Sequence, residues 1–351
     1  MQPRFPARCY NYIQNDQNVY RLIMNIIGSV QFPFFLISVY CILRRSPWSM
    51  GAYKWHIFVF QLATFSFNVF LTILCTPIVF YPYLCGYPNG VLSSLEIPTL
   101  YQYLITTFFL SCVGSSTVCL FEYRHQCVLP NFHVLRHSVE YRFFKIGMYY
   151  LFAIFHVWLP VFVVDTESKD LIEQVFNNWK DAPCDMLNEN TVVLSSQKLG
   201  FLHFYFMGGI GLVVVLSTMY IVHSFYIIRA TRILLSKAMQ KIQRSFLKGL
   251  MLQVLIPYAV LVLPAAIGLV ILLVTNNFNQ KFVQIGLCLL STHGLFSTIT
   301  TILVHQPYRN FLFFVCRRFF VPMGVKISTV DEFTTMPNLR KLGTRTHVTK
   351  F

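Results

Sequence analysis

Charged side chains are scarce in this chain of 351 residues. They make up 12% of it, against about 25% in an ordinary soluble domain. Acids are the scarcest, with 13 Asp and Glu against 28 Lys and Arg. A soluble protein of this length needs far more charge to cover its surface, so the composition excludes a water-soluble globular enzyme. With 55% hydrophobic residues, the chain is also too apolar for intrinsic disorder. An integral membrane protein with basic cytoplasmic loops accounts for both the missing charge and the basic excess.

The gaps between charges predict the membrane crossings. Long stretches without Asp, Glu, Lys or Arg recur along the chain, for example between Lys145 and Asp165. A helix of about 20 apolar residues crosses the ~30 Å hydrocarbon layer, and continuous apolar runs favour helices over a barrel. The predicted fold is an all-α membrane protein, a seven-transmembrane-helix bundle with a short interfacial eighth helix. Spans 1 to 7 are predicted at about 22–43, 57–83, 99–121, 146–164, 199–228, 249–274 and 282–304.

The loop charges predict the orientation. Alternate segments sum to 21 Lys and Arg on one side of the membrane and 7 on the other, and the basic side is cytoplasmic by the positive-inside rule. The N-terminus is then outside and the C-terminus inside, in a plasma membrane protein that contacts lipid and not nucleic acid. The predicted organisation is an extracellular N-terminus at 1–21, a seven-transmembrane domain at 22–304, an interfacial helix at 305–320 and a cytoplasmic tail at 321–351.

Formal charge is absent from every predicted span. A charge in mid-membrane usually marks an ion or proton path, so its absence argues against an ion-coupled transporter and predicts a small, neutral or apolar ligand. The outer halves of spans 3 and 5 and the middle of span 7 do carry neutral polar groups. They form either a ligand cavity with a few hydrogen-bonding groups or interhelical hydrogen bonds and interfacial aromatic belts. The candidate ligand-binding residues are Tyr101, Gln102, Thr106, His203, Tyr205 and His293.

The cytoplasmic edge carries candidate switch residues. An acid and a base at the end of span 3, Glu122 and Arg124, can pair and hold an inactive state, or merely stop the helix. Two prolines in span 6 kink a helix whose cytoplasmic end would swing in a receptor. Another proline ends span 7, before a Phe- and Arg-rich segment typical of an interfacial helix. The residues assigned to the switch are Glu122, Arg124, Pro257, Pro264, Pro307, Tyr308 and Arg309.

Ten cysteines are too scattered for a disulfide scaffold or a zinc site. Cys85 and Cys184 lie on the predicted outer side, where a disulfide between them would form a lid over the bundle. Cys316 is either a palmitoylation site or a free interfacial thiol. Because the chain has no HExxH or GxSxG motif, no catalytic residue, metal or cofactor is expected.

Four short motifs carry a family resemblance. They are Phe121-Glu122-Tyr123-Arg124-His125, Phe204-Tyr205-Phe206-Met207-Gly208-Gly209, Ile256-Pro257-Tyr258, and His293-Gly294-Leu295-Phe296-Ser297-Thr298 continuing to Pro307-Tyr308-Arg309. Over roughly residues 20–320 the chain resembles the nematode serpentine chemoreceptors, most closely class H (Srh). The resemblance implies a G-protein-coupled receptor for chemical cues, located in the cilium of a sensory neuron, whose partners are a small-molecule ligand and a heterotrimeric G protein.

Two other functions remain open at this point. A ligand-gated cation channel of the insect odorant-receptor type also has seven spans, although with the N-terminus inside, which the loop charges oppose. A peptide or pheromone receptor is the second alternative, because the loop after span 4 carries seven of the 13 acids and would attract cations.

Overall fold

The computed structural model describes residues 14–81, 83–163, 169–178, 183–195, 201–231 and 280–320, together with positions 249, 251–252, 255, 259–260, 267 and 270. Everything below refers to this part of the chain.

Six of the seven predicted spans are long apolar helices in the described residues, each able to cross a membrane by length and composition. Helices satisfy every backbone hydrogen bond internally, as an apolar solvent demands. The positions described between 249 and 270, within predicted span 6, are also helical. The observed bounds of spans 1, 2, 3, 4, 5 and 7 are Gln14–Arg44, Tyr53–Val69 continued by a π-helix at Phe70–Cys75, Thr99–Val128, Val139–Val163, Phe201–Ala230 and Gln280–Val304.

The surface of the spans is apolar, the reverse of a soluble protein. Large hydrophobic side chains such as Leu22 and Ile26 on span 1, and Met219 and Val222 on span 5, are more than half exposed. A contiguous apolar surface of this extent is tolerated in lipid and not in water. Polar side chains lie inside instead: between spans 1, 2 and 7, Asn68 donates to Gln31 and Gln61 donates to Thr298.

Span 2 ends earlier than the predicted residue 83. Its helix stops at Cys75, and Thr76 adopts a left-handed conformation with φ 44°. Pro77 follows and has no backbone N–H to continue a helix. The next residues leave the bundle as strand β1, Pro77–Phe80. The apolar stretch after Thr76 is therefore extended backbone, not membrane helix.

A three-stranded antiparallel sheet, which the sequence analysis did not anticipate, lies at one end of the bundle. Strand β1 pairs with β2, Leu84–Pro88, and β2 pairs with β3, Val192–Ser195. The Tyr20 hydroxyl of span 1 donates to the Pro77 carbonyl at 3.0 Å, and Gln17 Nε2 donates to Asp185 at 2.6 Å. The loops before spans 3 and 5 are thereby joined to each other and to span 1. This end is called the sheet end, and the other the opposite end.

The remaining helices are short or follow span 7. They are Trp48–Met50, Val91–Ser94, Lys169–Asn178, Cys184–Leu187 and Gln306–Phe320. The last coincides with the predicted eighth helix, with Pro307 in its first turn, where a missing N–H costs no helical bond. Its interfacial position remains a prediction. Within the described residues, the part of this helix from Asn310 onwards belongs to a second unit.

Candidate functional site

A cavity of about 350 Å³ lies between spans 3, 4 and 5 and against the sheet. Span 3 supplies its longest wall, the sheet contributes residues from all three strands, and spans 2 and 7 contribute Phe60 and His293. Of the described residues that line it, none is Asp, Glu, Lys or Arg. The lining is Phe60, Pro77, Val79, Cys85, Tyr103, Thr106, Thr107, Leu110, Ser111, Val113, Gly114, Ser115, Thr117, Phe152, Ala153, His156, Val192, Phe206, Gly209, Ile210, Val213 and His293.

The cavity brings together two of the predicted ligand-binding residues, Thr106 and His293. Tyr101 does not line it and is 52% exposed on the outer surface of span 3. Gln102 is fully buried, but its Nε2 donates to the Ile97 carbonyl at 2.7 Å. Tyr205 lies one layer behind the wall, stacked on His156 with ring centroids 4.8 Å apart. The side chain of His203 lies outside the described part of the structure.

The hydroxyls on the span 3 wall are mostly turned back onto the helix backbone. Thr106 donates to the Gln102 carbonyl at 2.8 Å, and Thr107 donates to that of Tyr103 at 2.8 Å. Thr117 donates to Val113 at 2.7 Å in the same way. A hydroxyl that already bonds its own helix presents mainly its methyl group to a neighbour, so the wall is more apolar than its residue names suggest.

His156, at the middle of span 4, is a cavity residue that the sequence analysis missed. Its ring stacks on that of Tyr205, and its Nε2 is buried with no hydrogen-bond partner in the described chain. That nitrogen faces Gly209 so closely that a Cβ at position 209 would overlap it. The sequence signal was a lone histidine within the uncharged run from Lys145 to Asp165, a pattern that also suits an interhelical hydrogen bond.

The predicted disulfide between Cys85 and Cys184 is wrong. Cys184 is disulfide-bonded, whereas Cys85 is a free, buried thiol. The pairing of β1 and β2 places Cys85 opposite Phe80, and its Sγ donates to the Phe80 carbonyl at 3.6 Å. The side chain lines the cavity, where burial raises the pKa of its thiol to about 12.

At the opposite end, Glu122 is paired with Lys145 of span 4 and not with Arg124. Lys145 Nζ lies 3.3 Å from Glu122 Oε1, and the carboxylate side chain is fully buried. Lys145 also donates to the Tyr220 hydroxyl of span 5 at 3.1 Å, which lies 3.0 Å from the Tyr149 hydroxyl. Spans 3, 4 and 5 are therefore joined by one polar network centred on a buried ion pair. This group of four side chains is called the ion-pair cluster.

Arg124 points to the other side of span 3. Its guanidinium lies 3.4 Å from the ring centroid of Tyr53, a cation–π distance. The ring of Tyr53 also meets His305 at 6.0 Å in an edge-on arrangement. Arg124 thus lies where spans 2, 3 and 7 converge.

His305 and Tyr308 lie just after the end of span 7. His305 is 3% exposed, and burial together with the nearby Arg124 charge lowers its pKa to about 4. The Tyr308 hydroxyl lies 2.6 Å from the Ser46 hydroxyl in the loop after span 1, and burial raises the pKa of Tyr308 to about 12. Both rings are therefore uncharged at neutral pH.

Two switch residues, Pro257 and Pro264, lie outside the described residues, as does the side chain of Cys316. Arg309 is described: its guanidinium donates to the Leu303 carbonyl at 3.3 Å.

Residues 15–318 match the family described as serpentine type 7TM GPCR chemoreceptor Srh. The chain belongs to this family. A Caenorhabditis elegans relative, serpentine receptor class H-72, is 24% identical over 300 residues, which is 82% of each chain. Squid rhodopsin has the same fold, with a TM-score of 0.57 at 12% identity over 93% of this chain and 94% of that one. The predicted resemblance to the class H serpentine receptors is confirmed. The family is one of seven-transmembrane receptors and not of enzymes.

Proposed function

We propose that this Srh-family protein is a plasma-membrane chemoreceptor that binds a small, neutral ligand in the cavity and activates a heterotrimeric G protein at the opposite end. The family and the rhodopsin fold support a receptor. The loop charges support an extracellular sheet end and a cytoplasmic opposite end, because 21 of the 28 basic residues fall in the sequence segments that follow spans 1, 3, 5 and 7.

The lining of the cavity supports a neutral ligand. An ion moved from water into an apolar site without a partner loses most of its solvation, and the described lining offers no countercharge. The volume of about 350 Å³ lies within the range of small-molecule sites, about 300–1,000 Å³.

The ion-pair cluster supports a two-state bundle. Spans 3 and 5 line the cavity at one end and are tied through Glu122, Lys145 and Tyr220 at the other. A ligand that binds one arrangement of these helices more tightly than another shifts the balance between them. Movement at the opposite end then exposes a surface for the G protein, as in other helix-shift switches.

A matched glycine pair tests the ligand site. Gly209→Ala forces His156 to move, whereas a Cβ at Gly208 meets nothing within 4 Å. Both substitutions raise helix propensity equally. A chemical screen on cells expressing the receptor with a promiscuous G protein supplies the agonist. We expect the agonist concentration for half-maximal response to rise at least tenfold in Gly209→Ala and to stay unchanged in Gly208→Ala, at equal surface expression. Equal responses from the two variants would show that the agonist does not bind in the cavity.

Orientation is tested separately. An epitope tag at the N-terminus is expected to bind antibody in intact cells, and one at the C-terminus only after permeabilisation. The reverse labelling would contradict the proposed topology and favour the arrangement of insect odorant-gated channels.

A further inference from the structure

The loop between spans 1 and 2 carries the most exposed large hydrophobic side chain of the described chain. Trp48 is fully exposed, and Trp55 at the start of span 2 is 52% exposed. Span 1 ends at Arg44 and span 2 begins at Tyr53, so the short connection at 45–52 keeps Trp48 close to the membrane surface. Indole rings are enriched at this level, because they combine an apolar body with a polar N–H. Trp48 therefore lies within reach of the lipid headgroups.

The same loop is basic. Arg44 and Arg45 are exposed at the end of span 1, and Lys54 Nζ lies 5.1 Å from the ring centroid of Trp55. The sequence has no Asp or Glu from residue 17 to residue 95, so neither span 1, span 2 nor their loop supplies a countercharge. Cations at a membrane surface attract anionic headgroups. Three cations beside two indole rings thus match a lipid with a negatively charged headgroup.

Contacts with Tyr308, just after span 7, fix the loop in place. The Ser46 hydroxyl lies 2.6 Å from the Tyr308 hydroxyl. Met50 is 7% exposed, and its Sδ lies 3.7 Å from the same hydroxyl. Trp48 is therefore exposed between two anchored positions. A site that is already ordered loses little conformational entropy when it binds a partner.

We propose that this loop binds an anionic phospholipid, with Trp48 among the headgroups and Arg44, Arg45 and Lys54 against the phosphate and the headgroup charge. Anionic lipids belong to the cytoplasmic leaflet, which agrees with the orientation proposed above. Because the same loop holds Tyr308, the bound lipid also stabilises the end of span 7. The inference depends on neither the ligand in the cavity nor the G protein.

Quenching of Trp48 fluorescence by spin-labelled lipids tests the site locally. The sample is the full-length receptor in phosphatidylcholine vesicles, with Trp55, Trp158 and Trp179 replaced by Phe so that Trp48 is the sole tryptophan. The probes are phosphatidylserine and phosphatidylcholine with identical chains and the same nitroxide next to the headgroup. At equal mole fraction, we expect the phosphatidylserine probe to quench Trp48 at least threefold more strongly. If this variant does not fold, the difference in quenching between the wild type and Trp48→Phe gives the same quantity.

Two pairs of adjacent arginines make matched variants. Arg44→Gln combined with Arg45→Gln removes two charges from the loop, and we expect the two probes then to quench Trp48 almost equally. Arg317→Gln combined with Arg318→Gln removes two exposed charges from the helix after span 7. We expect this second pair to leave the preference at Trp48 unchanged, because quenching reports only lipid close to the indole.

The other outcomes overturn the proposal. Equal quenching by both probes in the unsubstituted loop means that Trp48 contacts the bilayer without selecting its charge. Absence of quenching by either probe means that the loop faces water or a protein partner. An equal loss of preference in the two arginine pairs means that net charge, and not this loop, attracts the lipid. Because the vesicles contain neither agonist nor G protein, each of these results leaves the proposed receptor function to be decided by the signalling screen.

Discussion

The buried ion pair between Glu122 and Lys145 allows a quantitative test of the receptor's opposite end. Lys145→Met keeps most of the side-chain volume and removes the ammonium group that faces the Glu122 carboxylate. Because that carboxylate is 0% exposed, it cannot recover its lost partner from water. Glu122→Gln removes the other charge and leaves Lys145, whose side chain is 19% exposed and still bonded to Tyr220.

The structure sets the size of the effect. At 3.3 Å and an effective dielectric constant of ~20, the attraction between two unit charges is about 5 kcal/mol. Removing one partner of a buried pair typically costs about 3–5 kcal/mol, while replacing both is often neutral. We expect Lys145→Met to lower the free energy of unfolding by about 3 kcal/mol. This is the low end of the range, because the lysine is partly exposed and solvent weakens its attraction to the carboxylate. Glu122→Gln should cost about 1 kcal/mol, the loss of one hydrogen bond.

The assay is equilibrium unfolding of the purified receptor in mixed micelles, followed by tryptophan fluorescence, for both single variants and the double variant. We expect the double variant to recover most of the stability lost in Lys145→Met. If Lys145→Met is as stable as the wild type, or if the double variant is as unstable as Lys145→Met alone, the carboxylate is not held by this lysine and the reasoning fails. Basal G-protein activation, measured in parallel, should rise in Lys145→Met if the pair holds the resting arrangement.

Two further predictions concern His305 and the cysteines. The unfolded His305 ring takes up a proton below pH 6.5 and the buried ring only below about 4, so the unfolded state binds more protons in this window and stability falls as pH falls through it. His305→Gln should weaken that pH dependence of the unfolding temperature; a slope equal to that of the wild type would contradict the burial of His305. Alkylation and peptide mapping should find Cys127 labelled in the native receptor, Cys85 labelled only after unfolding, and Cys184 released only by reduction. Recovery of a Cys85–Cys184 peptide would refute the observed strand arrangement.

The spans were predictable because lipid excludes charge. Each of the six long apolar helices in the described chain covers a long stretch without charged residues, and those stretches can be read directly from the sequence. The end of span 2 was not predictable in the same way. Residues 77–80 are as apolar as a helix end, but they form a strand because Pro77 cannot continue the helix and because β3, more than 100 residues later, completes the sheet. Such long-range pairing leaves no local signal.

Only some of the cavity residues were predictable from the sequence. Thr106 and His293 were predicted and line the cavity, but Tyr101 lies two residues from Tyr103 and therefore about 200° around the helix. In a soluble protein the apolar face would have distinguished the two positions. In a membrane helix both the lipid face and the protein face are apolar, so polarity alone does not orient the helix.

The partner of Glu122 was also predictable only in part. Residues two apart on a helix do not face each other, which is why Glu122 and Arg124 diverge to Lys145 and Tyr53. The spacing made their pairing unfavourable, but only the packing of span 4 against span 3 reveals that Lys145, 23 residues further on, supplies the positive charge.

We propose that the cavity between spans 3, 4 and 5 holds the ligand of a G-protein-coupled receptor. Electron cryomicroscopy of the receptor bound to an agonist from the screen and to a G protein tests it most directly. We expect ligand density along span 3 between Thr106 and Gly114, with His156 in the wall and the G protein at the Arg124 end. Agonist density elsewhere in the receptor, with no density in this cavity, would contradict it.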